Sequence, residues 1–220
     1  MALVSTPNQY DHVASIYLPI GLAVFGIVTA VLLFLLFRYR ARRKDGEPNR
    51  THEKPAVEIS YAVLLALITA FLVTITFRSE GRENDITQAA AAGRTATRVD
   101  VIGAQWVWRF TYPGSPPVHV DAPPFKATRL YVPAGEPVLF IGRSQDVVHD
   151  FWIPALQFQR QVWPQHTERW GLVFPHPGRY PGLCAWFCGL YHDRMHFVAI
   201  ALPPKQFHTW LDSQRAKARA

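Results

Sequence analysis

The chain has 220 residues and a mass of 25.0 kDa, room for one domain or one domain with an anchor. Apolar residues make up 49% and charged residues 18%, which excludes a disordered, collagen-like or coiled-coil chain. A mean hydropathy of +0.01 averages very apolar and very polar stretches, and the net charge of +7 raises the question of nucleic acid, which its distribution answers.

Residues 1–16 contain no Lys or Arg and read as an exported N-terminal segment. Residues 17–37 and 59–77 then form two uncharged apolar runs of twenty-one and nineteen residues. Such runs are long enough to cross about 30 Å of hydrocarbon as helices, and neither shows a polar face. The first is too long, and too poor in preceding basic residues, for a cleavable signal peptide. Between them, the link 38–58 carries Arg38, Arg40, Arg42, Arg43, Lys44, Arg50 and Lys54. Positive charge concentrates on the cytoplasmic side, so this expects a two-span protein of the inner or plasma membrane with both termini outside.

Residues 78–98, alanine-rich from Gln88 to Thr97, read as a linker. Residues 99–203 change texture to short β-branched and aromatic runs broken by Pro and Gly, which expects an all-β Greek-key barrel or sandwich. Eight Lys or Arg face seven Asp or Glu there, no phosphate-binding surface. Residues 204–220 read as a basic tail, with Lys205, Arg215, Lys217 and Arg219 against Asp212. The basic excess is thus a topology signal plus a tail, and nucleic acid is not an expected partner.

Near the end of the β region stands Cys184-Ala-Trp-Phe-Cys188-Gly-Leu-Tyr-His192-Asp-Arg-Met195, with His149 thirty-five residues earlier. Two thiols, two imidazoles and a thioether are a soft donor set, suited to copper rather than magnesium or calcium. A disulfide between the cysteines is the plain alternative in an exported domain. Zinc is a weaker one, because a thioether is a poor zinc ligand. Four donors within twelve residues favour copper.

This pattern, C-x3-C-x3-H-x2-M behind a two-helix hairpin, resembles subunit II of cytochrome c oxidase, and the likeness runs through nearly the whole chain. It implies a cupredoxin-like domain holding the binuclear copper centre CuA. Carried over, its ligands are Cys184, Cys188, His149, His192, Met195 and the backbone carbonyl of Trp186. The family's first aromatic-patch tryptophan, which receives the electron from cytochrome c, matches Trp106 in Gln105-Trp106-Val-Trp108. The plain alternative is that alternating Trp106 and Trp108 pack one strand face. The carboxylates that often surround that tryptophan are missing here, since Thr111 to Val120 contains no acid. Glu58 matches a glutamate at the mouth of a proton-uptake path, with Glu53 as a competitor; a carboxylate in a helix's first turn is also favoured by the dipole.

The resemblance further implies a haem-bearing subunit I, a subunit III, membrane lipid and a cytochrome c as partners, with oxygen reduced to water in subunit I. Two features depart from it. Trp186 stands where the family has a magnesium-binding glutamate, and Gln161 stands where it has an aspartate, so magnesium is not expected. No C-x-x-C-H occurs, so no haem is expected in this chain. A copper-bearing nitric oxide reductase subunit and a tethered, non-catalytic copper protein are the competing readings.

Overall fold

The computed structural model describes residues 6–40, 54–92, 97–123 and 125–219. Most of the basic link, including Arg42, Arg43, Lys44, Arg50 and Glu53, lies outside the described residues, as do 1–5 of the N-terminal segment. The chain divides into a helical unit, Asp11–Ser79, and a β-rich unit built on Glu80–Ala220.

In the helical unit, α1 (Thr6–Arg38) and α2 (Pro55–Ala92) contain the two apolar runs, and both are long and apolar enough to cross a membrane. Leu22, Phe25, Leu36, Leu64, Leu67 and Phe71 are all exposed, unlike the side chains of a water-soluble core helix. The helices run antiparallel: the Tyr17 hydroxyl reaches the Leu72 carbonyl at 2.9 Å and Thr76 Oγ1 at 2.6 Å.

Two assignments made from sequence are corrected. The alanine-rich stretch is not a loop, because α2 continues to Ala92. Alanine has the highest helix propensity, and the run simply extends a helix already nucleated in the span. Thr87 Oγ1 accepts the Gly171 N–H at 2.9 Å and Ala90 is buried, so this extension belongs to the β-rich unit. The basic tail is likewise a helix, α3 (Pro204–Arg219). Phe207 and Leu211, four apart, are buried together and Trp210 stacks on Tyr131 at 4.3 Å. Its cations serve partly as clamps, with Arg215 donating to the Pro113 carbonyl and Arg219 to that of Ser115.

Among the described residues, ten strands form two five-stranded sheets. One has the order β3 (Val118–Val120), β2 (Val107–Tyr112), β1 (Thr97–Ala104), β5 (Pro137–Ser144), β8 (Glu168–Val173). The other runs β4 (Thr128–Pro133), β10 (His196–Leu202), β9 (Gly178–Cys184), β6 (His149–Ile153), β7 (Phe158–Val162). The β1–β5 and β4–β10 pairs are parallel, and every other pair is antiparallel. This is the Greek-key, cupredoxin-like sandwich the sequence expects. Alternation along each strand sends one set of side chains inward. In β2 these are Trp108, Phe110 and Tyr112, and in β5 Val138 and Phe140. Phe151 is the hub, stacked on Phe197 at 4.5 Å and tilted against Trp170 at 5.5 Å.

Candidate metal centre

Three chain segments meet at one end of the sandwich. β6 begins at His149, whose side chain is wholly buried. β9 ends at Cys184, and the chain returns through Cys188 and a 3-10 turn, His192–Arg194, to Met195 just before β10. The loop is closed at its base, because the Cys184 N–H donates to the Met195 carbonyl at 3.0 Å. The Ala185 N–H donates to the Asp150 carbonyl at 3.1 Å, tying the loop to β6 as well. Sheet hydrogen bonding therefore fixes both ends of the donor run. A close approach is needed behind it: a Cβ on Gly103 would sit 2.9 Å from His149 Cδ2.

The donor atoms converge on the two sulfurs. Cys184 Sγ lies 3.9 Å from His149 Nδ1 and 3.3 Å from the Trp186 carbonyl oxygen. Cys188 Sγ lies 3.5 Å from His192 Nδ1 and 3.9 Å from Met195 Sδ. The sulfurs are 3.8 Å apart and both cysteines are free, whereas a disulfide bond is about 2.05 Å long. The disulfide alternative does not describe this structure. The His149, Cys184 and Cys188 donor atoms all lie within 4.8 Å of one another. A soft set of buried thiols, imidazoles and a thioether fits copper, with every sequence-expected donor present at the same point.

Burial dominates the electrostatics of two of the donors. Burial, with Cys184 alongside, pushes the Cys188 thiol up to about 12. Burial lowers His149 below the usual imidazole range, against the opposing pull of Asp146, so its ring is held neutral. Asp146 is the residue that sequence reasoning did not single out. Its Oδ1 lies 2.8 Å from His149 Nε2, leaving Nδ1 to face the sulfurs, and its Oδ2 accepts the Gln105 N–H at 2.7 Å. Partial burial works to raise that carboxyl, but the hydrogen bonds from Gln105, His149 and Val147 outweigh it and hold it below its ordinary value. An Asp three residues before a candidate histidine ligand was the available signal.

Trp106 and Trp108 do not share a face. Trp108 lies wholly in the core, while Trp106 sits in the turn between β1 and β2, where strand alternation no longer applies. Trp106 Nε1 and Gln105 Nε2 both donate to the Cys188 carbonyl, at 3.2 and 2.8 Å. Tyr191 packs edge-on against the Trp106 ring at 4.8 Å. Gly189, at φ +116°, passes the loop closely over this pair. The Trp186 indole, by contrast, is 49% exposed. Glu58 stands in the first turn of α2, with Oε1 3.4 Å from the Lys54 N–H, a capping position.

Residues 125–202 match the family model for the periplasmic domain of cytochrome c oxidase subunit II. The chain is 31% identical over 197 residues to the cytochrome c oxidase subunit 2 of Alkalihalophilus pseudofirmus, covering 87% of this chain and 54% of that protein. The chain is similar to cytochrome c oxidase subunit II. It spans about half the length of that relative. To the cytochrome c oxidase subunit 2 of Thermostichus vulcanus it is 27% identical over 259 residues, covering 96% of this chain and 76% of that one. Its fold matches the periplasmic domain of subunit II of cytochrome oxidase from Bradyrhizobium japonicum with a TM-score of 0.51 at 21% identity, over 57% of this chain and 97% of that one. The family-model match, residues 125–202, includes the sulfur pair.

Proposed function

We propose that this chain is the electron-accepting subunit of a membrane-bound haem–copper oxidase, taking electrons from a cytochrome c and passing them to haem in subunit I. The carrying observation is that both sulfurs, both Nδ1 atoms, the thioether and the Trp186 carbonyl converge at 3.3–3.9 Å contacts. Cys184, Cys188, His149, His192, Met195 and the Trp186 carbonyl would hold two copper ions. Bound there, a copper pair would supply a one-electron relay whose charge change is spread over two metals.

The chain's own residues do the rest. Burial of Cys184, Cys188, His149 and Met195 excludes water from the donors. The sheet ladder at Cys184 and Met195 limits how far they can move, which suits a centre that must change charge with little rearrangement. Trp106 is the position where electrons arrive, joined to the donor run by its hydrogen bond to the Cys188 carbonyl. Glu58 is proposed as the proton-uptake residue on the cytoplasmic side, where the basic link places that end of α2. Subunits I and III, with membrane lipid around α1 and α2, complete the proposed surroundings.

The test is direct. The full chain, purified in detergent and loaded with copper, is expected to bind two ions, turn purple and give a multi-line mixed-valence electron paramagnetic signal. A single blue copper, or tight zinc binding with no copper uptake, refutes the reading.

A further inference from the structure

The outward face of the β3-β2-β1-β5-β8 sheet carries an uneven charge. Register places Ile102 of β1 between Arg109 of β2 and Arg143 of β5 in one lateral row. In the neighbouring row, Asp100 and Ile141 lead across to Arg169 of β8. Arg98 lies on the same face one step further from the β1–β2 turn, and its Nε is 2.9 Å from Asp100 Oδ1. The face thus holds four arginines against Asp100, which Arg98 already engages, and exposed Asp121, which follows β3 at the β2 edge. Arg109 donates only to the neutral Gln145 side chain, at 3.2 Å, and exposed Arg143 and Arg169 have no ion-pair partner among the described residues.

Position gives this charge its meaning. Arg109 is three residues past Trp106, and the Gln145 N–H donates to the Gly103 carbonyl, so the Arg109–Arg143 row lies at the Trp106 end of the sheet. Strand spacing sets those two arginines about 10 Å apart, flanking β1. On the other side of Trp106 is an apolar and cationic cluster. Phe125, 47% exposed, packs against Tyr191 at 4.8 Å, and the Arg194 guanidinium lies 5.7 Å from both rings. Lys126 follows Phe125 and is exposed. Of the nearby acids, Asp146 is engaged by His149 and Gln105, leaving Asp193 beside Arg194 and Asp121 just past β3.

We propose that the electron donor is an acidic protein that seats an apolar patch on Trp106 and Phe125 and its carboxylates against Arg109, Arg143 and Arg194. This deepens the electron-accepting reading and rests on it. Complementary charge would steer the encounter, raising association rates by ten-fold or more at low ionic strength and losing that gain in salt. One electron would then leave the reduced donor, which ends oxidised by one, and be taken up at the site below Trp106.

The test measures association, so it does not depend on the metal. The full chain is immobilised in zwitterionic nanodiscs, and two small c-type cytochromes, one acidic and one basic, are passed over it at 10 and 200 mM salt. The acidic cytochrome is expected to associate at least ten-fold faster at low salt than at high salt, and the basic one to gain nothing. Arg109→Gln with Arg143→Gln should remove most of that ten-fold gain while the copper spectrum stays unchanged. Faster binding of the basic cytochrome, or a salt slope indifferent to both substitutions, overturns the proposal. So does loss of a co-purifying large subunit in the double variant with donor association unmoved, which makes this face a subunit contact. A failure of the electron-accepting reading would show separately, as absence of the two-copper signal in the unsubstituted chain.

Discussion

Replacing Asp146 separates orientation of a ligand from its protonation. The carboxylate meets four partners: His149 at 2.8 Å, Gln105 at 2.7 Å, Val147 at 2.7 Å and the Ser144 hydroxyl at 3.3 Å. Asparagine keeps the shape but lacks the charge, and turning its amide to suit one N–H presents an N–H to another. A charge-assisted hydrogen bond contributes about 1.5–3 kcal/mol, and Asp146 stands at the partly exposed rim, so the low end applies. Outer partners of metal-ligating histidines typically affect affinity by about 10–100-fold, or roughly 1.4–2.7 kcal/mol, which agrees. Asp146→Asn should therefore weaken copper binding by about that factor, read by competition against a chelator of known affinity. The pH dependence identifies the cause. Asp146 pulls the His149 pKa upward against burial, so removing it makes the ring still easier to keep neutral. If orientation is what is lost, the gap between variant and parent narrows as pH falls below the ordinary imidazole value. Affinity within three-fold of the parent, or a gap that widens on acidification, refutes the reasoning.

Three further outcomes test the scaffold around the centre. Gly103→Ala puts a methyl 2.9 Å from a buried, hydrogen-bonded His149. It should cost about 1–3 kcal/mol in stability and lower copper affinity, seen by thermal unfolding and the same competition titration; unchanged values would mean β1 yields freely. The Tyr112 hydroxyl donates to the Tyr131 carbonyl at 2.7 Å and accepts its N–H at 2.8 Å, and burial raises its pKa, so it stays protonated. Tyr112→Phe should lower the unfolding temperature, at a cost of about 1–3 kcal/mol, while the copper spectrum stays intact. Glu58→Gln should slow oxygen consumption by the assembled oxidase without altering copper reduction. A normal rate would leave Glu58 with its capping role at Lys54 alone.

The convergent donor cluster was legible because four of the five side chains fall within twelve residues, a spacing one strand-to-strand loop can gather. His149 was harder, since a lone histidine at a strand start carries no ligand signal of its own. It joined the set because a neighbouring strand end can approach the loop and a second imidazole completes the soft donors, and the structure brings its Nδ1 within 3.9 Å of Cys184 Sγ. The Trp106–Trp108 pair defeated strand parity for a local reason: β1 stops at Ala104 and β2 starts at Val107, so one tryptophan lies in the turn and the other in the core. The α2 extension and α3 were read as linker and tail from alanine content and charge. Yet the spacing of Phe207, Trp210 and Leu211 marks one helical face, a signal present in the sequence and outweighed by the neighbouring cations.

The arginine face lay further beyond sequence reading, and the reason bears on how charge should be counted here. Eight cations against seven acids in residues 99–203 describe a balanced domain, and that balance holds only as a sum. Folding distributes it. Asp150 goes into the interior, where burial raises its pKa, and Asp146 is drawn onto His149. Glu168 lies 3.1 Å from His166. Arg109, Arg143 and Arg169 fall at outward positions of three different strands, and only the register of β1 with β2 and β5, and of β5 with β8, aligns them. A partner approaching Trp106 meets that local field rather than the domain's net charge, because screening at physiological salt confines the field to about 8 Å.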